Sequence, residues 1–168
     1  TNDNALKLIL EKTKTKSDNL IDKMNDIIWS LNTSNIYLED LLVYMKSSFS
    51  EFIEILPIKF SFNIPENIPA IELKNEVKRN VYLVCKEAIH NAIKHSKASE
   101  VSMFLVIQNK NLSIEIVDNG IGFDVNKNSL KGNGLNNYFK RMNNIGGTVN
   151  VNSSKNGTEI KFIIPLDV

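Results

Sequence analysis

The chain has 168 residues, 42% of them hydrophobic, a single cysteine and a formal net charge of +1. That length holds one domain plus an appendage, with enough apolar residues for a real core. The near-zero charge excludes the concentrated basic face of a nucleic-acid-binding protein, and no segment reaches the roughly 20 apolar residues of a membrane-spanning helix. Neither nucleic-acid nor membrane contact is therefore expected. Cys85 excludes an internal disulfide, fits a reducing, cytoplasmic compartment, and sits in an apolar helical stretch that reads as packing. The Thr-Asn-Asp start is not a signal peptide and reads as the interior of a longer protein, which leaves an anchor elsewhere in that parent open.

Residues 4–56 read as a long helical segment, separate from a globular domain over 57–168. From Met24 a 4-3-4-3 register runs through Ile28, Leu31, Asn35, Leu38, Leu42, Met45, Phe49, Phe52 and Leu56. A seam of that length predicts helix pairing with another chain, a homodimer through this segment, in preference to packing on its own domain. Asn32-Thr-Ser-Asn35 contains poor helix formers, so a kink or break is expected there.

Pro57 stops the helix. Ile58, Phe60, Phe62 and Ile64 alternate with polar residues as a half-buried strand. A helix is predicted over 72–96 on a stripe of Val77, Val81, Val84, Ala88 and Ala92, then strands over 100–107 and 112–118. A helix over 134–145, ended by Gly146-Gly147, precedes a closing hairpin whose turn is Ser154-Lys-Asn-Gly157. This order predicts an α+β two-layer sandwich, a mixed, mostly antiparallel sheet with helices on one face.

Three motifs carry chemistry. Glu87, Asn91 and His95 fall at i, i+4 and i+8 of the second predicted helix, with Lys94 beside them. An amide oxygen such as that of Asn91 is a hard ligand suited to Mg²⁺ held mainly by phosphates and water, and Lys94 offsets phosphate charge. Taken singly, these are ordinary helix-surface residues. Asp118-Asn-Gly120-Ile-Gly122-Phe-Asp124 ends an apolar strand. Alone, it is an Asx turn with permissive glycines; with Gly122 it offers a bare backbone to a flat base and a carboxylate to an exocyclic amine. Gly132-Asn-Gly134-Leu135 opens a helix, where backbone N–H groups favour phosphate. No Gly-Lys-Ser/Thr follows, so it is not a Walker loop, and no third glycine makes it a dinucleotide fingerprint. Residues 123–133 are polar and aperiodic, as a lid would be.

Taken together, EAIHNAIKHS, DNGIGFD, GNGL and NGTEIKFIIPL resemble the ATP-binding domain of sensor histidine kinases, in the superfamily of gyrase, MutL and the heat-shock chaperone ATPases. The resemblance covers 57–168. Asp26-Ile-Ile-Trp29-Ser-Leu-Asn32 is similar to the second helix of the dimerisation bundle in the nitrate-response subfamily. The resemblance implies ATP and Mg²⁺ as ligands and a response regulator as partner. It implies Asn91 as the Mg²⁺ ligand, Lys94 and His95 along the phosphates and nucleotide, and Asp118 as acceptor of the adenine amine. Gly120 belongs to that adenine motif. Gly122, and Thr158 through water, assist Asp118, while Gly132, Gly134 and Leu135 form the phosphate-binding lid and its following helix. Glu87 stands where the gyrase and MutL branch keeps its water-activating base.

One family feature is missing. The phosphoacceptor histidine lies in an earlier helix with acidic neighbours, whereas His90 and His95, the only histidines here, both lie in the helix motif. The chain is therefore expected to be the ATP-binding half of a phosphoryl transfer whose acceptor lies outside it. An anti-sigma-factor-like serine kinase, a gyrase- or MutL-like ATPase and a degenerate scaffold are the other readings. The long helical segment, the want of a second domain bearing a lysine, and the intact motifs count against them in turn.

Overall fold

The structure, a computed structural model, describes residues 2–31, 37–53, 57–125 and 133–166. It divides into two compact units, Thr1–Ser34 and Asn35–Val168. In the first, a single helix α1 spans Asn2–Leu31 and leaves Ile9, Leu10, Leu20, Ile21, Met24 and Ile28 exposed.

The second unit opens with helix α2, Leu38–Ile53. Its start is fixed twice: the Tyr37 N–H donates to Asp40 Oδ2 at 3.0 Å, one half of a capping box, and the Leu38 N–H donates to the Ile71 carbonyl at 2.8 Å. Leu38, Leu41, Leu42, Met45, Phe49 and Ile53 repeat with helical spacing and are all buried. Phe49 stacks on Tyr82 of the next helix, with ring centroids 5.9 Å apart and planes 8° apart, and Ser48 Oγ lies 2.9 Å from the Tyr82 hydroxyl.

This corrects the expectation for half of the helical segment. The seam residues Leu38, Leu42, Met45 and Phe49 are covered inside their own unit and are not available to another chain. The boundary drawn at 56/57 accordingly lies at 34/35, because α2 completes the core of the domain. Met24 and Ile28, on α1, remain exposed. Asn35, the polar member of the seam, lies outside the described residues.

The rest follows the predicted order closely. Strand β1 is Lys59–Asn63, α3 is Asn75–His95, β2 is Glu100–Gln108 and β3 is Asn111–Asp118. Helix α4 is Asn133–Asn144, β4 is Thr148–Ser154 and β5 is Gly157–Pro165. The strands lie in the order β1-β2-β3-β5-β4. β1 runs parallel to β2, as the α3 crossover requires, and every other pair is antiparallel. On one face Val101, Met103, Leu105, Leu112, Ile114, Ile116, Ile160, Phe162 and Ile164 are buried, whereas Phe104, Val106 and Ile163 on the other are exposed. Helices thus cover one face of an open, mixed sheet, as the alternation predicted. The layering carries α3 across the sheet so that its C-terminal turns lie beside the end of β3: the Ile121 N–H donates to the Ser96 carbonyl at 2.8 Å.

Candidate nucleotide-binding site

Four side chains of α3 fall at i, i+3, i+4 and i+7: Ala88, Asn91, Ala92 and His95. They form one stripe, and all four line a cavity of about 280 Å³. The two alanines leave room that larger residues would fill. Asp118 enters from the end of β3, Thr158 and Ile160 from β5, Gly122 and Phe123 from the loop after β3, and Leu135 and Tyr138 from α4.

Asp118 lines this cavity and is 7% exposed. The Gly120 N–H donates to its Oδ1 at 2.8 Å, closing the Asx turn expected of Asp-Asn-Gly. The Thr158 amide and the hydroxyls of Thr158 and Ser96 also lie against the carboxylate. Burial pushes this carboxyl above its usual range, and those hydrogen bonds oppose the push. Thr158 is fixed in turn, because Ser153 Oγ lies 3.0 Å from Thr158 Oγ1 and accepts the Phe123 N–H at 2.8 Å. One hydrogen-bonded chain therefore ties the loop to the closing hairpin and to the carboxylate.

The glycines of this loop are structural requirements. A Cβ on Gly120 would stand 2.3 Å from the Ser96 carbonyl oxygen. Gly122 has φ +60°, and a Cβ there would stand 1.8 Å from the Ser154 carbonyl oxygen. Its bareness thus serves the close approach of the β4–β5 hairpin, besides opening the cavity wall.

On the α3 stripe, Asn91 Nδ2 donates to the Tyr138 hydroxyl at 2.8 Å. The Tyr138 ring is 1% exposed and packs edge-on against Phe162, with centroids 5.6 Å apart. With its nitrogen so engaged, Asn91 keeps an amide oxygen for a hard cation. No group of three or more His, Cys, Asp or Glu side chains able to hold a metal occurs among the described residues. That donor set fits Mg²⁺ carried largely by phosphate and water, with one protein oxygen, and does not fit an all-protein cage.

Of the sequence-predicted residues, Asn91, His95, Asp118, Gly122, Leu135 and Thr158 line the cavity together. Gly120 is outside the lining and donates its N–H to the Asp118 carboxylate. Lys94 is exposed and outside the lining. Glu87 also lies outside the lining: its carboxylate is hydrogen-bonded to Asn137 and faces Arg141 of α4, and burial pushes it above the usual range. That geometry joins α3 to α4. Gly134 lies in the first turn of α4, the helix start proposed for phosphate. Gly132 and most of the expected lid, 126–132, fall outside the described residues.

Sequence reasoning passed over Ser96, Phe123 and Tyr138. Ser96 had a signal, since it ends the helix motif one turn beyond Ala92. Tyr138 had none, because its place in the apolar stripe of α4 marks it as core, which it also is.

A buried carboxylate at a strand end, an amide one helix away and a following helix start are held together here by a mixed sheet. The model of the histidine kinase-, DNA gyrase B- and HSP90-like ATPases matches residues 76–168. The chain belongs to that ATPase family. It is 25% identical over 169 residues to the sensor histidine kinase LiaS of Bacillus subtilis, covering 94% of this chain and 47% of LiaS. It is 29% identical over 150 residues to the oxygen sensor histidine kinase NreB of Staphylococcus carnosus, covering 88% of this chain and 42% of NreB. The chain thus spans about half the length of the curated relatives it matches. Among solved structures, the blue-light activated histidine kinase of Erythrobacter litoralis EL346 superposes with a TM-score of 0.71 at 18% identity, over 90% of this chain and 50% of that one. The Acinetobacter baumannii histidine kinase AdeS gives 0.68 at 16% identity, over 97% and 84%. These likenesses establish the fold of the family.

Proposed function

We propose that this chain is the ATP-binding catalytic portion of a two-component sensor histidine kinase. Its pocket presents Mg-ATP to a histidine outside these residues, and the phosphoryl group passes on to an aspartate of a response regulator. The observation that carries the reading is the buried Asp118 carboxylate lining one cavity together with Asn91, whose amide nitrogen is engaged by the Tyr138 hydroxyl. The named relatives, both sensor histidine kinases, support it.

The chain's own work is positioning and charge. Asp118 accepts the exocyclic amine of adenine between the apolar walls of Ala92, Phe123 and Ile160. Gly134, at the start of α4, offers backbone N–H to phosphate. Asn91 and His95 lie along the phosphates, and Lys94 adds positive charge from the rim. Mg²⁺, when bound, offsets charge on the β- and γ-phosphates. An imidazole nitrogen of the acceptor attacks the γ-phosphorus in line with the bond to the bridging oxygen. That bond breaks, its electron pair leaves on ADP, and the phosphoryl group stays on the imidazole.

The exposed apolar stripe of α1 supports the further proposal that this helix pairs in a homodimeric bundle. A cytoplasmic location is proposed with it; among the described residues no helix is long and apolar enough to cross a membrane. Against the ATPase alternative stands the hydrogen bond of Glu87 to Asn137, outside the cavity lining. The test is titration with a fluorescent ATP analogue, with and without Mg²⁺, followed by phosphotransfer to a separate polypeptide carrying a histidine with acidic neighbours. A chain that fails to bind ATP refutes the proposal.

A further inference from the structure

We infer that Tyr138 is a positioning residue for the metal end of the site: its hydroxyl fixes which end of the Asn91 amide faces the cavity. The inference rests on the nucleotide reading above and adds to it a residue outside the motifs.

A side-chain amide has two ends of nearly equal size and opposite polarity. With the oxygen toward the cavity, Asn91 attracts a cation; turned over, it presents an N–H₂ that repels one. The Tyr138 hydroxyl makes the choice by accepting from Nδ2 at 2.8 Å. Among the described residues, Asn91 is the hydrogen-bonding partner of that hydroxyl.

The hydroxyl is itself well held. Tyr138 is 1% exposed, its ring lies edge-on to Phe162, and Asn137, its neighbour on α4, hydrogen-bonds Glu87 one turn before Asn91. Two adjacent rungs, Glu87–Asn137 and Asn91–Tyr138, therefore set the register of α3 against α4. A Phe or Met at 138 would fill the same core space, so packing explains the ring and leaves the hydroxyl to its partner. Groups that orient a metal ligand in this way are worth about 10–100-fold in metal affinity.

The experiment uses the whole 168-residue chain as wild type, Tyr138→Phe and Asn91→Ala. ATP affinity is measured with Mg²⁺ and with a chelator, and the Asn91 side-chain amide is followed by NMR in protein without nucleotide. In Tyr138→Phe, the ratio of the two affinities falls about tenfold, and the Asn91 amide protons shift and exchange faster with solvent. A Tyr138→Phe ratio equal to wild type, where Asn91→Ala loses Mg²⁺ dependence, overturns the role of Tyr138 and leaves the nucleotide reading standing. Wild-type protein that binds no ATP overturns both. Should Tyr138→Phe not fold, wild-type Asn91 amide protons that exchange as fast as those of exposed asparagines also overturn it.

Discussion

Asp118 and Thr158 are partners on the last rung of the β3–β5 ladder, and Thr158 turns both its amide and its hydroxyl to the Asp118 carboxylate. The setting of Asp118 in the pocket is thus a product of strand register. A slip of one residue would set Asp118 opposite Gly157 or Glu159 and send its side chain to the other face of the sheet.

Asp118→Asn should weaken ATP binding while the protein stays folded. The amide still accepts the Gly120 N–H, yet it brings an N–H₂ where the adenine amine must donate. Loss of one charged hydrogen bond is about 1.5–3 kcal/mol. Titration with a fluorescent ATP analogue, with GTP as competitor, should show reduced affinity and reduced preference for adenine. Equal affinities would remove Asp118 from base recognition.

Binding should also depend on pH. Burial raises the Asp118 carboxyl above its usual range, so the free protein holds that proton more tightly than an unfolded chain does. The ionised form is the better acceptor for the adenine amine, so ATP affinity should weaken as pH falls through this raised range. The stability consequence runs the other way. A raised carboxyl contributes stability below its unfolded pKa that is lost as pH rises through the folded one. Asp118→Asn, with nothing to titrate, should flatten both profiles; an unchanged affinity profile in the variant would assign the dependence to another group.

Much of this was legible in the residues, and what was not has physical causes. Alternation in β2, β3 and β5 gave strands, the buried face and the one-sided cover, because period-two burial is a local property. Asn91, Asp118 and Gly122 are ordinary when taken singly, and only the joint set of motifs, with the resemblance it carries, singled them out. The destination of α2 was not legible: Leu38, Leu42, Met45 and Phe49 look the same whether they face a second chain or Tyr82 of their own. Nor was the partner of Glu87, since a carboxylate on the edge of a helix serves a neighbouring helix as readily as a cavity.

The α2 correction has a direct test. A chain beginning at Asn35 should fold and bind ATP, whereas one beginning at Pro57 should not fold, because it exposes the surface that α2 covers. Within the intact domain, Phe49→Ala should cost about 3–5 kcal/mol, as it removes a ring 2% exposed and stacked on Tyr82. Urea denaturation measures both. A cooperative transition in the Pro57 chain equal to that of the Asn35 chain would return α2 to the role of an independent pairing helix.

Glu87→Gln distinguishes a base from a clamp. The amide retains a hydrogen bond to Asn137 and removes a charge that burial disfavours, at the expense of the attraction to Arg141. Any slow ATP hydrolysis by the chain should therefore persist in the variant, and its stability should vary less with pH than that of wild type. Abolished hydrolysis in a folded, ATP-binding variant would restore Glu87 as the group that orients the attacking water.

The 168-residue chain by itself should not autophosphorylate. Transfer needs a nucleophile close to the γ-phosphorus and in line with its leaving group. Its two histidines both belong to α3. His95 lines the cavity from the last turn of the helix that carries Asn91, so it lies beside the nucleotide with little freedom to approach from the far side of the phosphate. His90 is half-buried five positions back, on a different face, and burial with Lys94, His95 and Lys86 nearby holds its imidazole below the usual range. Bringing either into line would unwind α3, which also carries the buried Val81, Val84, Cys85, Ala88 and Ile89. A separate polypeptide bearing a helix with a histidine and acidic neighbours should instead accept the phosphoryl group in trans. Radiolabelled ATP reads the outcome, with acid lability and base stability of the product marking phosphohistidine. An acid-labile label on the chain itself, lost in a His90 or His95 variant that still binds ATP, would show that one of these histidines is the acceptor.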